Sequence, residues 1–197
     1  MRGSGSGGPM EPPTGEVSRR RVIAALAGGI VPGLGCAPSA AAARGTAGRV
    51  TGNSAWRRTG DTTPEGFRRE LARLRSPMLD QAEGIYRRVE GLSRLYLAMS
   101  FVEKKHDTYT DTIPQSFRNA LAVKRGRGSG RWERYGSYRA GAAAWADLLL
   151  DPRGPYAATV TLRELVEVYA PAVENDVGRY VAVLTREMNR YPRLRSD

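Results

Sequence analysis

A chain of 197 residues that is 41% hydrophobic suits one domain with a tail, or two very small domains. A single cysteine, Cys36, excludes an intrachain disulfide and a cysteine-built metal cluster, and a single histidine, His106, excludes zinc sites made of several histidines. The formal net charge of +11 invites an anionic partner, but 8 Arg against 2 Glu fall in residues 1–60, and the seven basic residues from Arg118 to Arg139 face only Glu133. The remainder is near neutral. The basicity is therefore a leader plus one local patch, with no motif of nucleic-acid recognition.

Residues 1–17 are rich in Gly, Pro and Ser without apolar periodicity, the composition of a disordered start. Ser18-Arg19-Arg20-Arg21 then opens a weakly apolar run to Val31, the pattern of a twin-arginine export signal. A basic tail is the bland alternative. Gly28, Gly29 and Pro32 make the run too short and broken to span a bilayer. Two exits are visible. Ala41-Ala42-Ala43 offers small-residue cleavage before Arg44, and Gly33-Leu34-Gly35-Cys36 resembles a lipoprotein box that would place a lipid anchor on Cys36. The reading is a start and signal peptide over 1–43, a linker over 44–62 and a domain over 63–195.

Thr63-Pro64 gives an N-cap and a proline at the first helical position. Phe67, Leu71 and Leu74 follow as a helical stripe, and Ser76-Pro77 repeats the start signal before Met78, Ala82, Ile85, Tyr86 and Val89. Ser93 is expected to cap a third helix with Leu95, Leu97, Ala98, Phe101 and Val102 inward and Glu103 near its end. Residues 106–117 are polar and irregular. Ala120–Lys124 and Arg131–Tyr135 flank a Gly-rich turn, the pattern of a small β-hairpin. Ser137 caps a helix ending at Leu150, Thr161-Leu162-Arg163-Glu164 is a capping box, and Asn175 or Asp176 caps a last helix carrying Val177, Tyr180, Val181, Leu184 and Met188. The expected fold is all-α, a compact bundle of about six helices with one small hairpin.

The apolar run Leu97-Ala98-Met99-Ser100-Phe101-Val102 ends on Glu103, and burial against such a wall would favour the protonated carboxyl, as a general acid requires. A solvated helix-end glutamate is the ordinary alternative. His106 reads as a surface residue, with a proton relay beside Glu103 as the sharper alternative. Asp107, Asp111 and Glu133 read as solvated charges or turn formers. Tyr169 lines a cleft or is buried with its hydroxyl bonded.

Residues 76–190 resemble the glucosaminidase-like domain of bacterial cell-wall hydrolases, also described as mannosyl-glycoprotein endo-β-N-acetylglucosaminidase-like. The resemblance rests on Ser76-Pro77 with Ile85-Tyr86, the apolar helix ending in Glu103, the turn at Arg118-Asn119, and Tyr135-Gly136-Ser137-Tyr138 before the Ala-rich helix. Its most specific part is Thr161-Leu162, Tyr169-Ala170-Pro171 and Glu174-Asn175-Asp176 followed by Tyr180. Lys104-Lys105-His106-Asp107-Thr108 departs from the Ser and Gly-Thr that usually follow the family's glutamate. The resemblance implies a lysozyme-like α fold with the hairpin beside a catalytic cleft, and cleavage of β-1,4 bonds in N-acetylated glycan, usually peptidoglycan. It implies Glu103 as general acid, with Asn119, Glu133, Tyr135 and Tyr169 against the substrate. No cofactor or metal, no nucleic acid and no membrane span are expected, and the protein would act as an exported monomer, secreted or in the cell envelope. A second carboxylate or the substrate's own acetamido group would handle the oxocarbenium-like centre. A catalytically inactive glycan-binding module of the same fold is the rival expectation.

Overall fold

The computed structural model describes residues 49–109, 113–125, 131–173 and 175–191. The leader, Cys36 and the cleavage motifs lie outside them, as do Asp111, Glu174 and the Gly-rich turn at 126–130. Six α-helices carry the described part: α1 Pro64–Arg73, α2 Ala82–Arg88, α3 Ser93–Lys104, α4 Tyr138–Leu150, α5 Leu162–Tyr169 and α6 Val177–Arg190. Short 3-10 turns precede α1 and α2 and occupy Gln115–Phe117. None of the described helices is long and apolar enough to cross a membrane.

The starts of four helices are written locally. Thr63 accepts from Gly66 N, Ser137 from Ala140 N and Asp176 from Arg179 N, and Thr161 and Glu164 complete a reciprocal capping box. The cap of α3 is not local. Ser93 is its first helical residue rather than its cap. Asp61, thirty-odd residues upstream, accepts from Gly91 N at 2.8 Å and Ser93 N at 3.0 Å, while Ser93 Oγ accepts from Thr62 N. A carboxylate at this end also complements the positive pole of the helix.

Helix α3 is the centre of the domain. Every residue from Ser93 to Lys104 is buried except Phe101, which is half-buried, and a helix covered on all sides must be surrounded by others. Its main partner is α6, while α2 packs on α4 and on α1, and α5 on α6. Four aromatic rings tie four helices together: Tyr86 meets Phe67 at 5.6 Å, Phe67 meets Tyr96 at 6.1 Å, and Tyr96 meets Trp145 edge-on at 5.4 Å.

The structure corrects two expectations. In its described part the stretch read as a linker, 44–62, belongs to the core. Trp56 is fully buried, its indole N–H lying 3.1 Å from both the carbonyl and the hydroxyl of Thr159. Val50, Thr59 and Thr62 are buried beside it, and the backbone of residues 52–56 bonds to that of residues 160–163. The hairpin is reduced to one antiparallel bridge, Lys124 to Trp132, and no strand forms among the described residues. Arg125 N bonds Arg131 O at 2.8 Å and Glu133 N bonds Val123 O at 2.9 Å. The reciprocal bond is diverted: the Asn119 side chain takes Val123 N and the carbonyl of Glu133, the pair through which the ladder would continue.

Candidate functional site

Glu103 occupies the last turn of α3 and is 8% exposed. Tyr180, in the first turn of α6, donates its hydroxyl to Glu103 Oε1 at 2.7 Å. The close packing of α3 on α6 makes that bond, so the carboxylate that ends the apolar run and the tyrosine that follows Asn175-Asp176 meet although 77 residues separate them. Tyr180 is itself 2% exposed. A phenol held against one carboxylate oxygen fixes the rotamer of the acid and adds a donor without adding charge.

The chain leaves Glu103 through an unusual turn. Lys105, His106 and Asp107 have φ of 46°, 56° and 63°, a left-handed turn built without glycine. Each such residue costs about 1–2 kcal/mol, so the turn persists only if its surroundings over-determine it. They do. Lys105 N bonds Phe101 O at 2.8 Å and His106 N bonds Ser100 O at 3.0 Å, which closes the end of α3. Ser76 Oγ donates to His106 O at 2.5 Å, and Gln115 Nε2 donates to Asp107 O at 2.8 Å.

The side chains of His106 and Asp107 point inward, which corrects two readings. His106 is not a surface residue and Asp107 is not a solvated charge: both are 0% exposed. Asp107 forms an ion pair with Lys104, itself 4% exposed, and accepts from Tyr138 Oη at 2.6 Å. Lys104 Nζ also donates to Ile113 O at 2.7 Å. Burial pushes the Asp107 carboxyl up, against the ion pair and the Tyr138 bond, and the Tyr138 hydroxyl is pushed up by burial and by Asp107. His106 Nδ1 lies 2.7 Å from Ser100 Oγ, and its Nε2 faces Glu70 at 3.6 Å, beyond hydrogen-bond length. Arg73 grips the same Glu70 with two bonds, of 3.0 and 2.6 Å. Burial opposes ionisation of Glu70, but the facing His106 and Arg73 hold its carboxyl down at about 2. Burial in turn lowers the His106 imidazole against the attraction of Glu70.

Ser100, His106 and Glu70 thus stand in the order of a nucleophile, a base and an acid, yet they form no nucleophilic centre. Ser100 is 0% exposed within α3, and its hydroxyl also bonds Leu97 O at 3.1 Å. No substrate atom can reach it, and the row works as a brace under the turn.

The residues expected against the substrate gather around the loop 117–123 in backbone-supporting roles. Asn119 is 1% exposed, and its amide is spent on Val123 N at 2.9 Å, Val123 O at 2.8 Å and Glu133 O at 3.0 Å. Tyr169 is 8% exposed and donates to Leu121 O. Tyr135 is half-buried. Its N–H bonds Phe117 O at 2.9 Å, and its ring lies on Gly141, where a Cβ would stand 2.8 Å from Arg118 O and 3.0 Å from the ring. Burial and Glu133 push its hydroxyl up to about 12. Glu133 is half-buried in the bridged segment. Asn175 is buried and its Nδ2 has no partner among the described residues, while Asp176 caps α6. Among the described residues no three His, Cys, Asp or Glu side chains are grouped so as to hold a metal ion. Sequence reading missed the left-handed turn, whose residues carry no glycine or asparagine signal, and the tie from Ser76.

Compared with known protein families, curated proteins and solved structures, the chain matches none of them.

Proposed function

We propose that the protein is an exported glycoside hydrolase of the glucosaminidase type, cleaving β-1,4 bonds of N-acetylated cell-wall glycan with Glu103 as general acid. One observation carries the reading: a nearly buried glutamate at the end of the central helix, fixed by the Tyr180 hydroxyl at 2.7 Å. Glycoside hydrolysis needs a carboxyl group that gives its proton to the leaving oxygen, and a fixed rotamer puts that proton in one place. Asp107, the carboxylate nearest Glu103 in the following turn, is bound to Lys104 and Tyr138. The positive centre that develops on the sugar is therefore left to the substrate's acetamido group, to Glu133, or to Asp111, which lies outside the described residues.

The commitment of Asp107 also favours a second reading, a glycan-binding module without activity. One experiment separates them. Glu103→Gln keeps the shape and removes the transferable proton, so release of reducing ends from a peptidoglycan suspension should fall by about a hundredfold or more while the fold is kept. A Gln variant cleaving at the wild-type rate would place the catalyst elsewhere. A wild-type protein that sediments with peptidoglycan but releases no reducing ends would select the binding module.

A further inference from the structure

We propose a second binding site, for a phosphorylated sugar or polyol chain, in the groove between the segment Arg49–Asn53 and the outer face of α6. The groove has a volume of about 540 Å³. Its lining includes Val50, Val181 and Ala182 with Arg49, Arg163 and Arg186, and no acidic residue among the described residues lines it. Tyr180 and Leu184 are buried and face the core, whereas Gly178, Ala182 and Arg186 are exposed. The groove thus lies on the opposite side of α6 from the Tyr180–Glu103 bond, and the proposal stands apart from the glycan-cleavage reading.

Of the three cations in the groove two are unspent, whereas several arginines of this domain are committed to backbone carbonyls or carboxylates. Arg94 is used on the carbonyls of Thr59 and Met188, Arg57 on those of Thr159 and Tyr156, and Arg73 on Glu70. Arg49 and Arg163 have no side-chain partner among the described residues. Arg186 has only a 3.4 Å contact with Glu187, which Arg190 holds more closely at 2.5 Å. Guanidinium groups with unused forks suit oxyanions bound through paired hydrogen bonds.

The groove wall is also preformed. The Asn189 side chain bonds both the N–H and the carbonyl of Val50, each at 2.9 Å. Arg163 N bonds Gly52 O at 3.0 Å, and Gly52 sits so close to α6 that a Cβ there would stand 3.0 Å from Val181 Cγ1. A wall tied this way spends little binding energy on ordering itself. The ligand's chemistry follows from the lining. Three guanidiniums call for more than one anionic group, and the amide of Asn53 and the hydroxyl of Thr51 suit a hydroxyl-bearing chain. Among the described residues no aromatic ring lines the groove, so they offer no stacking surface of the kind single-stranded nucleic acids use.

The test uses the full chain and a fluorescent poly(glycerol phosphate) oligomer, with binding followed by anisotropy. Changing Arg49, Arg163 and Arg186 together to Gln should weaken binding about tenfold or more, through lost charge-assisted bonds. Changing the exposed Arg68, Arg69 and Arg88 to Gln removes the same charge from α1 and α2 and should weaken it less than about threefold. Ala182→Trp fills the groove without touching a cation. It should weaken binding as well, and it decides the matter if the triple Gln variant does not fold. Equal losses in the two triple variants would mean that only net charge attracts the polymer. Unchanged binding by Ala182→Trp would remove the groove as the site. A thymidylate oligomer of equal charge that binds as tightly, and loses affinity with the groove variants, would overturn the ligand class.

Discussion

Replacing Asp107 by Asn tests whether the buried ion pair holds the turn behind Glu103. Asn tolerates a φ of 63° nearly as well as Asp and can still accept from Tyr138, so the change removes little except the negative charge. The Lys104 ammonium, on a residue 4% exposed, then keeps Ile113 O at 2.7 Å as its other bonded acceptor. Breaking a buried pair from one side costs about 3–5 kcal/mol, and the surviving Tyr138 bond puts this case near 3 kcal/mol. For a domain of this size that is a fall in melting temperature of about 10 °C. Urea unfolding followed by circular dichroism reads it directly. Changing Lys104 to Met in the same chain removes the stranded charge and should restore at least about half of the loss, since the two sites are coupled. If Asp107→Asn costs less than about 1 kcal/mol, water screens the pair and the ion pair does not hold the turn.

Four further outcomes are expected. His106 is lowered by burial from its ordinary 6.5, so the unfolded chain binds more protons below that value and stability falls as the pH drops through it. Glu70 from α1 and Glu187 from α6 pull the other way, and Arg73 adds to the lowering. The unfolding free energy from urea titration should therefore drop between about pH 7.5 and pH 5.5, by up to about 1.4 kcal/mol per pH unit, with the midpoint falling alongside it, and His106→Gln should flatten that limb. A wild-type midpoint that is level across the interval would contradict it. Glu70, held at about 2, gives a separate limb: its stabilisation is complete above its ordinary 4.5 and is lost only as the pH falls from there towards 2. Trp56→Ala should cost about 3–5 kcal/mol, because losing a fully buried indole leaves a cavity and takes one of the two donors, with Arg57, that bond the Thr159 carbonyl. A chain begun at Thr63 also loses the Asp61 cap of α3 and should not fold cooperatively; a wild-type melt from it would show that residues 49–62 only wrap the domain.

Much of the fold can be read from local chemistry. Thr63, Ser137, Thr161 and Asp176 announce four helix starts because a cap bonds an amide only three residues away, a distance that sequence spacing fixes. The apolar spacing of α1, α4 and α6, and the run that makes α3 a covered helix, follow from the same periodicity, as does the position of Glu103 in the last turn. Tyr180 is readable as a member of the inner face of α6, but not as the donor to Glu103.

What the tertiary structure decided are bonds between residues far apart in the chain. Asp61 caps α3 from another segment, Trp56 becomes core because Thr159 stands over it, and Ser76 reaches the His106 carbonyl across 30 residues. The polar string Lys104–Asp107 looks solvated in isolation, since the charges and the lone histidine have no local reason to be buried. They turn inward because Glu70, Ser100 and Tyr138, on three different helices, supply partners that water would otherwise provide. Those partners hold Lys105, His106 and Asp107 in a left-handed turn that their own backbone preferences disfavour.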